Sequence, residues 1–115
     1  MRRSLVFVLA ALFVACALSA AAAVQLWTFC VASAPAGDEV WITDVFAAGR
    51  DRVKLEADLR GYLKTRGVLG AVAQCPLPNG DKTAAINAQF AAAEFNRKLG
   101  HTLHEVAAPQ FEPRP

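Results

Sequence analysis

QLWTFCVAS (residues 25–33) and EVWITDVFA (residues 39–47) decide the fold. In the first stretch Trp27, Phe29 and Val31 alternate with Leu26, Thr28, Cys30 and Ala32, the period of two that a strand with two different faces requires. The second is rich in β-branched and aromatic side chains, which suit a pleated surface. Between them lies Ala34-Pro35-Ala36-Gly37-Asp38, a turn by composition. The two stretches therefore predict a hairpin that carries both tryptophans of the chain.

Outward from the hairpin the period changes. Leu55, Leu59, Tyr62 and Leu63 recur at i, i+4, i+7 and i+8, predicting an amphipathic helix over residues 51–66 that lies on the sheet. Lys54 with Asp58, and Glu56 with Arg60, are spaced for i,i+4 ion pairs. Gly67 suits the position just past the helix end, and Gly61 inside the helix suggests close packing. VLGAVAQC (residues 68–75) is an apolar run fit for an inner strand. Pro76 and Pro78 break it, and Asp81 or Thr83 can cap a second helix running to Leu99. Ile86, Phe90 and Ala93 form one stripe of that helix, with Ala88, Ala92, Phe95 and Leu99 on the adjacent one. An apolar face this wide predicts a well-covered helix. Residues 102–107 offer an optional final edge strand.

The resulting order is β-β-α-β-α, with or without a last β, an α+β fold. We expect a small mixed sheet of three or four strands, two helices on one face and one disulfide staple. The prolines at 109, 113 and 115 predict a disordered tail over residues 109–115.

The N-terminus has the grammar of a secretory leader. Arg2 and Arg3 precede an apolar run over residues 5–18, and Ala21-Ala22-Ala23 offers an A-x-A cleavage site before Val24. The reading is a cleaved signal peptide over residues 1–23, then one domain over 24–108, exported to the periplasm or beyond. Two alternatives keep the protein on a membrane: an uncleaved leader acting as an anchor, or lipid on Cys16. The formal charge of +2 belongs to Arg2 and Arg3; residues 24–115 hold ten basic and ten acidic side chains. A balanced chain lacks the basic footprint that nucleic acid demands, so no nucleic-acid partner is assigned.

Without Cys16 two cysteines remain, Cys30 and Cys75, and in an oxidising compartment they have one intramolecular pairing. No C-x-x-C pair and no adjacent His or Lys activates either thiol.

The polar candidates are few. Asp44 interrupts the apolar alternation of Val40, Ile42 and Phe46; a carboxylate there serves as a general base, as a cap, or as the mark of a bulge. His101 and His104, followed by Glu105, form H-x-x-H-E, which on a strand sends the histidines to opposite faces. Neither group carries a partner in sequence, and there is no G-x-S-x-G, P-loop or Gly-rich dinucleotide turn. No catalytic residue, cofactor or metal ligand set is assigned; a small hydrolase or metal carrier would need Asp44, His101 or His104 to converge with others.

The run Trp27-Thr28-Phe29-Cys30, the strand end Asp44-Val45-Phe46, the amphipathic helix and Gln74-Cys75 together resemble small exported two-cysteine proteins of Gram-negative bacteria. The resemblance covers most of residues 24–115, implies a disulfide-stapled α+β domain and carries no catalytic residues. The aromatic hairpin supplies the leading functional expectation. If one face is uncovered, Trp27, Phe29, Trp41 and Phe46 form a surface for another protein.

Overall fold

A computed structural model describes residues 24–49 and 51–108. The leader expected over 1–23, with Cys16, and the tail expected over 109–115 lie outside the described residues. Among the described residues six strands and two helices follow one another as β1 (Trp27–Thr28), β2 (Val31–Ser33), β3 (Glu39–Thr43), β4 (Phe46–Ala47), α1 (Arg52–Thr65), β5 (Val72–Gln74), α2 (Lys82–Lys98) and β6 (Thr102–Val106). The fold is α+β, with a four-stranded sheet ordered β5-β2-β3-β6 and a two-stranded one formed by β1 and β4. The last strand is present and runs parallel to β3.

The hairpin forms as expected, but with a break. Gly37, at φ 79°, closes its turn, where its N–H donates to Ala34 C=O at 2.8 Å. Val31 pairs with Ile42, whereas Thr28 pairs with Phe46. Phe29 and Cys30 therefore face three residues, Thr43, Asp44 and Val45, which is a β-bulge. One extra residue reverses the alternation beyond it, so Ile42 and Phe46, of the same parity, point to opposite sides of the sheet.

Two cores result. Leu55, Leu59 and Leu63 of α1 pack on Cys30, Ala32, Phe46, Ala73 and Cys75. On the other face Ala93 of α2 packs with Phe29 and Ile42, flanked by Val31 and Leu103. This corrects the expectation that both helices cover one face. The crossover through α1 leads from β3 past β2 to the β5 edge, and the crossover through α2 leads back across the whole sheet to β6. Two crossovers of the same hand that run in opposite directions pass over opposite faces.

Local chemistry fixes the helix ends. Asp51 caps α1 by accepting from Lys54 N–H, and Asp81 caps α2 by accepting from the N–H groups of Thr83 and Ala84. Lys54 and Asp58 pair at 3.2 Å. Glu56 reaches elsewhere, accepting the Cys75 N–H at 2.9 Å and so covering the end of β5. Gly61 does not mark a close approach, for a Cβ there would meet nothing within 4 Å. The strand expected over 68–75 is regular only at Val72–Gln74, because Gly70 turns the chain with φ 72°.

Cys30 and Cys75 are joined by a disulfide. Both are buried, at 0% and 3% exposed. The bond ties the hairpin break to the end of β5, and a loop of this length stabilises by about 4 kcal/mol in the chain-entropy picture.

Candidate functional site

The hairpin aromatics do not form one open face. Phe29 and Phe46 are core residues, 4% and 8% exposed. The bulge divides the four, because Phe29 belongs with α2 and Phe46 and Trp41 belong with α1. Trp27 and Trp41 are half-buried. Lys82 Nζ lies 4.5 Å from the Trp27 ring centroid, and the His104 ring stacks on Trp41 with centroids 5.1 Å apart. The expectation of an aromatic docking face is therefore corrected for Phe29 and Phe46, whose bulk goes into the two cores.

The polar candidates are also placed apart by role. Asp44 sits in the bulge and its Oδ1 accepts the Ala108 N–H at 2.7 Å, so the carboxylate ties the chain after β6 to the hairpin. His101 Nδ1 lies 3.0 Å from Asn96 Oδ1 at the end of α2. His104 is on the α1 side of β6, with Nε2 3.8 Å from Glu39 Oε2. His101 precedes β6 and is held at the helix end, whereas His104 is on the strand and stacks on Trp41, so the two histidines do not converge. Among the described residues no three His, Cys, Asp or Glu side chains gather to hold a metal ion.

What the sequence did not single out is the surface around α2. The helix packs chiefly against β6, β1 and β3, and its apolar arc is far wider than the contact it makes. Phe90 and Phe95 are each 63% exposed, with Leu99 at 55% and Ile86 at 46%. The expectation of a well-covered helix is thereby overturned: about two residues per turn of α2 are apolar, but only Ala85 and Ala93 are buried.

On one flank the uncovered surface deepens into a cleft. A cavity of about 380 Å³ is lined by Phe29, Val31, Arg52, Gln74, Pro76 and Ala92. A smaller one, about 60 Å³, lies along Ala84 and Ala88 and shares Phe29 and Pro76 with the first. The small side chains Ala84, Ala88 and Ala92, at i, i+4 and i+8, keep this flank low, and the groove follows the helix axis. Val72 pairs with Ser33 on the face of β5 that α1 does not cover, and is 58% exposed. Arg52 is the charged side chain of the lining.

No protein-family model, curated protein or solved structure matches the chain. Among the described residues no helix is long and apolar enough to cross a membrane.

Proposed function

We propose that the protein is an exported, disulfide-stapled domain that acts by binding another protein, and that it takes an apolar segment of its partner in the cleft along α2. The groove is lined by apolar Phe29, Val31, Pro76 and Ala92 together with polar Gln74, with Arg52 as its cation, and Phe95 is exposed on the same stripe of α2 as Ala88 and Ala92. That combination suits an extended apolar segment bearing an acidic side chain, with apolar contact giving affinity and the guanidinium giving orientation. The Cys30–Cys75 bond supports export, because such bonds persist in oxidising compartments. The uncovered flank of α2 is the observation that carries the reading.

Site-specific photocrosslinking tests it. A benzophenone side chain at position 95 should give one discrete adduct in cells. The same probe at exposed Arg60, on the opposite face of the molecule, should give none. Arg52→Glu should weaken the adduct at least severalfold, and the crosslinked peptide should carry an acidic residue. Equal labelling from both positions, or indifference to Arg52→Glu, would remove the cleft as the binding site. An adduct of twice the chain's own mass would assign this flank to a second copy.

A further inference from the structure

The two edges of the four-stranded sheet differ. β5 is three residues long, and the Glu56 carboxylate closes its end at the Cys75 N–H. β6, TLHEV, has five residues with no proline, glycine or lysine to blunt it. It is last in the strand order, so among the described residues no strand pairs with its outer side. Its inner side is fixed by two bonds: the Thr102 N–H donates to Asp38 C=O at 2.8 Å, and Val106 C=O accepts from the Asp44 N–H at 3.2 Å. In a parallel ladder this alternation turns the main-chain groups of Thr102, His104 and Val106 toward β3 and those of Leu103 and Glu105 outward.

The other flank of α2 hangs over this same edge. Ala92 faces the cleft by β2 and β5, so the opposite stripe faces β6. Gln89 confirms the direction, since its Nε2 donates to Thr43 C=O at 3.1 Å and it lines a second cavity with Glu105 and Val106. Ile86 and Phe90 stand beside it, both exposed.

We propose that the protein forms a symmetric dimer in which β6 pairs antiparallel with β6 of a second copy, joining the two sheets, while the Ile86–Phe90 flanks of the two α2 helices cover each other. A two-fold axis at Leu103 matches the outward main-chain groups of the two strands and keeps α2 of both copies on one face. The ten basic and ten acidic side chains of residues 24–115 leave no net repulsion between copies. A foreign strand could use the main-chain groups, but the exposed Ile86–Phe90 stripe alongside them, which the same stripe of a second copy covers by symmetry, favours a second copy. This surface is on the opposite flank of α2 from the cleft, so the dimer and the proposed partner stand or fall separately.

The test is the molar mass in solution of the protein purified with its disulfide intact, by sedimentation equilibrium, with two variants. Glu105→Pro removes an N–H that points away from β3, so the fold keeps its ladder while the edge loses a donor and gains a block. Phe90→Glu changes a side chain that is 63% exposed and leaves the strand untouched. The wild type should be a dimer at tens of micromolar, and each variant should raise the dimer dissociation constant at least tenfold. Should Glu105→Pro fail to fold, Phe90→Glu decides alone. A wild-type monomer overturns the proposal and leaves the edge to a foreign strand; a dimer indifferent to Phe90→Glu overturns it as well.

Discussion

The hydroxyl of Thr43 accepts the Cys30 N–H at 2.9 Å, in the place where the hairpin ladder skips a residue. Both residues are 0% exposed. The same hydroxyl donates to Asp44 C=O at 3.0 Å, and the Thr43 C=O freed by the bulge receives Gln89. One side chain thus repairs the backbone hydrogen bonding of the bulge on both strands. Thr43→Val keeps the shape and deletes the hydroxyl, leaving a buried N–H without an acceptor. The expected loss is about 1–3 kcal/mol of unfolding free energy, read from urea denaturation with the slope unchanged.

Gly61 should be replaceable at a gain. It lies inside α1, exposed, and an added Cβ meets nothing within 4 Å. Gly61→Ala should stabilise by roughly 1 kcal/mol, seen as a higher denaturation midpoint. A loss would show that the helix surface there is engaged by something the described residues do not include.

The disulfide should carry a large share of the stability. Cys30 and Cys75 sit in the core under α1, and the bridge spans 45 residues. The double variant Cys30→Ala, Cys75→Ala should lose about 2–5 kcal/mol. Reduction of the wild type should approach the same midpoint, which calorimetry with and without reductant will measure.

Trp27 and Trp41 should respond to different neighbours. Lys82 lies over Trp27, so in a Trp41→Phe background Lys82→Ala should increase acrylamide quenching of the remaining tryptophan. A contact of this kind at an exposed site is worth about 0.5–1 kcal/mol, so unfolding should shift little.

The strands, both helices and the disulfide pairing were legible because each rests on a local signal: the period of Trp27, Phe29 and Val31, the leucines of α1, the aspartate at 81, and an even cysteine count. The faces were not. A single extra residue at Thr43–Val45 sends Phe46 to the side opposite Ile42, and hydropathy does not record a bulge; Asp44 interrupting the alternation was its only trace. The placement of the helices depends on strand order, since a return crossover from β5 to β6 must use the face that α1 leaves free. The cleft along α2 was hidden for a related reason. Ala88, Phe95 and Leu99 read as core until the width of the sheet beneath them is known. Residues Thr28 and Thr43 carried no signal beyond strand propensity, yet both are buried, and Thr28 Oγ1 holds Pro76 C=O at 2.9 Å.

The proposed export and the closure of the Cys30–Cys75 disulfide are both read from the intact mass of the protein recovered from a Gram-negative host. Alkylation is done with and without prior reduction. The account predicts a species beginning near Val24 that takes up no alkylating groups until reduced and then two, on Cys30 and Cys75. A full-length or lipid-bearing mass, or two thiols free before reduction, would contradict it.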